Sequence, residues 1–246
     1  MSNLLLVENN PDYYNVALTV LADLEYTVFH AKDYSQAKSY LDPQNNYRFE
    51  LAVIDCLFPE TFETDKTQLG VDLVQKMALA DPTEQRMVEG LKLFEPYVDL
   101  TNPKIREYLR NIIYNCSGKV EENPILNVTQ LISNFLGKDR VTSLVKNGLG
   151  MFYQKQQASP DHYTALLESM KQSVANQPLG LLVAEQVEEM GLPFVLTTST
   201  SHHDGLTKPI QTYVSQKGWN LIDCARNQKN DKTSHQFWGR VVSQLI

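Results

Sequence analysis

The stretch Leu51 to Pro59, LAVIDCLFP, most restricts what this chain can fold into. It is a short apolar run with β-branched residues that ends in a carboxylate, Asp55, and is followed four residues on by a proline. A run of that length, apolar on both of its alternating sides, reads as a central strand covered on both faces, which is the situation of a parallel sheet. Asp55 then stands at the carboxyl edge of the sheet, where open α/β folds bind ligands and do chemistry.

The flanking sequence has the alternation such a sheet needs. Leu4 to Val7 is a buried-strand candidate, and the Glu8-Asn9-Asn10-Pro11-Asp12 cluster after it has helix-start chemistry, with Asn10 placed to cap and Pro11 at the first helical position. Val16, Leu18, Val20, Leu21 and Leu24 follow at mainly helical spacing, Thr27 to Phe29 reads as a second strand, and Tyr34 to Leu41 as a second helix stopped by Asp42-Pro43. After residue 178 the rhythm resumes. The sequence predicts a helix over Leu181 to Met190 closed by Gly191, a strand over Leu192 to Leu196, a short helix over Ile210 to Gln216, a strand over Trp219 to Ile222 and a last helix over Ser234 to Leu245. The predicted fold is α/β and flavodoxin-like: a five-stranded parallel sheet with helices on both faces.

Between Pro59 and about residue 178 the rhythm breaks. Helical segments are predicted at 69–80, 83–94, 103–115, 124–136, 139–147 and 160–175, several opened by a cap-and-proline pair such as Asp81-Pro82 or Ser159-Pro160. The expected organisation is a discontinuous α/β domain, 1–58 with 178–246, interrupted by an all-α insertion, 59–177. Apolar stripes such as Ile125, Leu126, Leu131, Ile132 and Phe135 fit the core of a small bundle, and one such stripe left exposed would serve as a partner surface.

Several function classes are disfavoured by composition. A formal net charge of −7 does not suit a protein that neutralises phosphates along nucleic acid. Three unpaired cysteines, Cys56, Cys116 and Cys224, argue against a disulfide framework or structural zinc and for a reduced, cytoplasmic setting. The apolar start is cut off at Glu8, too short for a signal peptide or a membrane span. His202-His203-Asp204 reads as a solvated loop rather than a metal site, Cys56 as a packed core residue, and Gly148, Gly150 and Gly180 as helix ends or hinges rather than a phosphate loop.

Four motifs in order, LLLVENNP, EYTVFHAKDYSQAKSYL, LAVIDCLFP and GLPFVLTTS, resemble the receiver domain of two-component response regulators over roughly half the chain. The resemblance implies that Asp55 accepts a phosphoryl group from a histidine kinase or phosphotransfer protein, forming an acyl phosphate. It implies Mg²⁺ as cofactor, held by Glu8, Asn9, Asp55 and the Leu57 backbone carbonyl. Thr198 takes the place of the hydroxyl that answers phosphorylation, with Thr197 as its neighbour in register. A downstream protein partner would bind through the helical insertion, the resemblance allows a homodimer, and no turnover of an external substrate is implied.

The chain departs from that pattern twice. Asn9 stands where the family has a second carboxylate, and the strand-five lysine is displaced: counting from Gly218 reaches Ala225, flanked by Arg226, with Lys229 and Lys232 further on. Arg226 or Lys229 would have to reach back as the phosphoryl clamp, or the clamp is missing. A missing clamp would favour a pseudo-receiver that acts as a phosphorylation-independent interaction module. A flavin- or nucleotide-binding domain using the same sheet edge is a third reading, for which no phosphate cradle follows Val7.

Overall fold

A computed structural model describes residues 2–23, 25–81, 101–103, 160–200, 206–224 and 231–244. Its strands are β1 (Ser2–Val7), β2 (Tyr26–Ala31), β3 (Leu51–Asp55), β4 (Phe194–Thr197) and β5 (Leu221–Ile222). All neighbours pair in parallel in the order β2-β1-β3-β4-β5, so the chain forms the flavodoxin-like α/β sheet predicted for it. The described helices are α1 (Pro11–Ala22), α2 (Tyr34–Leu41), α3 (Gln68–Ala80), α4 (Pro160–Gln172), α5 (Gly180–Glu189), α6 (Thr207–Lys217) and α7 (His235–Val242).

Alternation along the strands divides the sheet's two faces. Leu4, Leu6, Leu51, Val53 and Val195 pack with Ala17 and Leu21 of α1 and with Phe237, Trp238 and Val241 of α7. The interleaved residues Leu5, Val7, Ala52, Ile54 and Leu196 are equally buried; α5 lies on β3 and β4, and α2 on β2 and against α5. Strand β3 is buried at every position, which is why LAVID carries no polar side chain before its last residue. Asp55 shares the parity of Leu51 and Val53 and therefore belongs to the face covered by α1 and α7.

Local chemistry sets the helix ends. Asn10 caps α1 by accepting from the Asp12 N–H, with Pro11 behind it, Asp33 caps α2 through the Gln36 N–H, and Ser234 caps α7 through the Phe237 N–H. Gly191 and Gly218 take positive φ, 69° and 72°, and so close α5 and α6. Strand β4 lies two residues later at its start than predicted because the Pro193 nitrogen carries no proton; its carbonyl accepts from Ala52 N–H. Strand β5 keeps only Leu221 and Ile222, the preceding Trp219 N–H being spent on the Val214 carbonyl.

The chain divides into one unit of Met1–Ala80 with Asp161–Ile246 and another of Asp81–Pro160. Helices α3 and α4, predicted within the insertion, belong to the unit that holds the sheet. The buried Gln177 side chain explains the tie: its Oε1 accepts from the Gly70 N–H, and its Nε2 donates to the Lys66 and Val174 carbonyls. The helices predicted at 83–94, 124–136 and 139–147, and the one at 103–115 past its first residue, lie outside the described residues. Among the described residues no helix is long and apolar enough to cross a membrane.

Candidate functional site

Two carboxylates and one ammonium meet at the carboxyl edge of β1 and β3. Glu8 directly follows β1, where its N–H pairs with the Ala31 carbonyl, and Asp55 ends β3. Lys232 Nζ donates to Glu8 Oε2 at 2.5 Å and to Asp55 Oδ1 at 2.8 Å. All three side chains are buried, Lys232 completely. The ammonium also lies 5.2 Å from the Tyr13 ring centre and 5.9 Å from that of Trp238, both within cation–π range.

Lys232 reaches this position from a short 3-10 turn, Asp231–Thr233, immediately before α7. The turn is held on several sides. Trp238 Nε1 donates to the Lys232 carbonyl at 2.8 Å, Arg240 pairs with the Asp231 carboxylate and also donates to the Asp223 carbonyl, and Ser234 Oγ donates to the Asp231 carbonyl. Counting along strand five from Gly218 could not find this lysine, because residues 223–230 separate the strand from the turn. Its signal in the sequence is a Lys two residues before the Ser234 cap. Lys229, Arg226 and Ala225 lie outside the described residues, as does the His202-His203-Asp204 loop.

The charges do not cancel: two carboxylates share one ammonium. Burial would lower the Lys232 pKa, but Asp55 and Glu8 together overturn this and hold it above its ordinary value. Burial pushes Asp55 up from 3.8 to about 7, against the attraction of Lys232 and with the repulsion of Glu8; the Leu57 N–H, which hydrogen-bonds the carboxylate, pulls it down. An acid raised in the folded state binds its proton there while the unfolded chain has released it. Folding stability therefore falls as pH rises from about 4 to about 7.

Asp55→Asn removes that penalty while keeping the shape. The variant is expected to be more stable than the parent by about 2–4 kcal/mol at pH 8, on the scale of 1.36 kcal/mol per pKa unit, with the gain shrinking toward pH 4. Urea unfolding at both pH values in the presence of a chelator measures this. A variant less stable than the parent at pH 8 would contradict the surplus buried charge.

The remaining predicted residues are near but differently occupied. Asn9 is half-buried and lines a cleft of about 1150 Å³ that also touches Tyr14, His30, Lys32, Gln36 and Phe62. Thr197 is the register partner of Asp55, and its hydroxyl donates to the Ile54 carbonyl at 3.5 Å. Thr198 lies just past β4, its N–H donating to the Ile222 carbonyl and its Oγ1 2.9 Å from Thr200 Oγ1. Cys56 is fully buried, as read from the sequence, and burial holds its thiol well above the ordinary value.

Gly180 is part of the same edge. Its N–H donates to the Cys56 carbonyl, and a Cβ on it would lie 2.0 Å from the Asp55 carbonyl oxygen. The sequence placed it as a helix end or hinge; in the structure it is the first residue of α5, seated on the Asp55–Cys56 peptide. Phe58 N–H donates to the Gln177 carbonyl next to it, so residues 177–180 clamp the chain as it leaves β3.

Glu8 and Asp55 converge on one point occupied by an ammonium, and their oxygens, the Asn9 amide and the Leu57 carbonyl are hard donors of the kind Mg²⁺ takes. The donor set fits that ion, with one carboxylate fewer than two acidic residues after β1 would supply. Among the described residues no group of three or more His, Cys, Asp or Glu side chains is placed to hold a metal. Comparison of the chain with models of protein families, with curated proteins and with solved structures gives no match.

Proposed function

We propose that this protein is a response-regulator-like signalling protein in which Asp55 accepts a phosphoryl group. The observation that carries the reading is the buried Glu8–Lys232–Asp55 constellation at the carboxyl edge of a five-stranded parallel sheet. A carboxylate nucleophile, an adjacent acidic residue and a lysine reaching both are the parts that phosphoryl transfer to aspartate needs. An Asp55 oxygen attacks phosphorus, the bond from phosphorus to the donor's imidazole nitrogen breaks, and the leaving imidazole takes a proton. The product is an acyl phosphate on the protein.

Lys232 then exchanges one carboxylate partner for a phosphoryl oxygen, and Thr198 donates a hydrogen bond to another. Mg²⁺, held by Glu8, Asn9, Asp55 and the Leu57 carbonyl, would neutralise charge on the phosphoryl group. The donor is a histidine kinase or phosphotransfer protein, and the inserted segment binds the downstream partner in the cytoplasm.

Incubation with acetyl phosphate and Mg²⁺, read by intact mass, tests the reading. One phosphoryl adduct is expected on the parent and none on Asp55→Asn. A second reading is a pseudo-receiver that only presents surfaces. It is favoured by Asn9, which lacks the second charge, and by an ammonium that already bridges both carboxylates. No adduct together with no measurable Mg²⁺ affinity selects it.

A further inference from the structure

Beyond β4 three threonine hydroxyls are joined in a row. Thr207, fully buried at the first turn of α6, donates through Oγ1 to Thr200 Oγ1 at 2.5 Å. Thr200 Oγ1 lies 2.9 Å from Thr198 Oγ1, and the Thr200 N–H donates to that same oxygen at 3.3 Å. Thr198 is itself almost fully buried. A hydroxyl has one proton to give and two lone pairs to receive with, so the direction of donation along such a row decides what its last member can do.

We propose that Thr207 and Thr200 are positioning residues that hold the Thr198 hydroxyl as a donor. Thr207 gives its proton to Thr200, which leaves the Thr200 proton for Thr198. Thr198 Oγ1 then accepts twice, from the Thr200 hydroxyl and the Thr200 N–H, and among the described residues no acceptor takes its own proton. That proton is available to a phosphoryl oxygen on Asp55, so the inference rests on the phosphoryl-acceptance reading above.

The relay is specific to a hydroxyl at position 207, because a methyl in its place leaves Thr200 free to accept from Thr198 instead of donating to it. Thr207→Val keeps the shape and removes the donor; Thr207→Ser restores the donor. With acetyl phosphate and Mg²⁺, the expected result is an adduct that forms about tenfold more slowly in Thr207→Val, the factor set by about 1.4 kcal/mol of lost transition-state contact, and that recovers in Thr207→Ser. Recovery by serine separates donation from packing, since serine lacks the methyl group that valine and threonine share.

Proton NMR of the unphosphorylated protein at low temperature supplies a reading that needs no phosphoryl transfer. Slowly exchanging hydroxyl protons are expected for Thr207 and Thr200, with a cross-peak from the Thr200 hydroxyl to Thr198 that disappears in Thr207→Val. If the parent takes up no phosphoryl group, the proposed function fails, while the fate of that cross-peak still decides the direction of the row. Unchanged adduct kinetics, or a Thr200-to-Thr198 cross-peak that survives in Thr207→Val, would overturn the relay.

Discussion

Gly180→Ala is expected to destabilise the protein by about 3 kcal/mol or more and to disturb Asp55 directly. Overpacking a tight contact usually costs about 1–3 kcal/mol, and the higher figure applies here because the obstacle is main chain. The new methyl would sit 2.0 Å from the Asp55 carbonyl oxygen and 2.8 Å from Cys56 Cα, so neither neighbour can turn away as a side chain could. Either α5 lifts from β3, breaking the bond from the Gly180 N–H to the Cys56 carbonyl, or the end of β3 shifts and carries the carboxylate with it. The contrast is Gly239→Ala in the interior of α7, where an added Cβ meets nothing within 4 Å. There the expected change is a gain of about 0.5–1 kcal/mol from the lower conformational freedom of the unfolded chain. Urea unfolding of both variants checks the pair, and a Gly180→Ala protein as stable as Gly239→Ala would refute the close approach.

Lys232→Met should be at least as damaging, and its cost should depend on pH. Methionine fills the space but leaves Glu8 and Asp55 buried together without a cation, and removing one partner of a buried ion pair costs about 3–5 kcal/mol. The full loss is expected at pH 8. Near pH 5 Asp55, raised to about 7 by burial, carries its proton, and less than half of the loss should remain. Equilibrium unfolding at the two pH values measures both quantities. Equal losses would mean that Lys232 contributes packing against Tyr13 and Trp238 rather than charge. Because the same ammonium is the proposed phosphoryl partner, the variant should also lose adduct formation when refolded at pH 8 with Mg²⁺. Asp55→Asn, by contrast, loses the adduct while gaining stability. Opposite signs for two neighbours in one ion cluster separate a requirement of the site from a requirement of the fold.

Much of the architecture was legible because it depends on local chemistry. The Asn10-Pro11 pair caps α1 where the sequence places it, Gly191 closes the helix before it, and the all-apolar run of β3 occupies the centre of a parallel sheet. Asp55 was legible as the carboxylate ending an apolar strand, and Glu8 joined it only through the resemblance to receiver domains. The limits of the sheet's own unit were less so. Helix α3 reads as part of the helical block until the Gln177 amide is seen joining Gly70, Lys66 and Val174, a contact across more than a hundred residues.

The sequence by itself determined the sheet, the order of its strands' chemistry and the position of one carboxylate at the sheet's carboxyl edge. These follow from side-chain period and from the few residues able to start or stop a helix. Only the tertiary structure decided which cation answers that carboxylate. Lys232 lies 177 residues from Asp55 in the chain and 2.8 Å from it in space, and it comes from a turn before α7 rather than from the end of β5. Counting residues fails there because the length of a connection is weakly constrained, while the buried negative charge of Glu8 and Asp55 strongly constrains where an ammonium must end up.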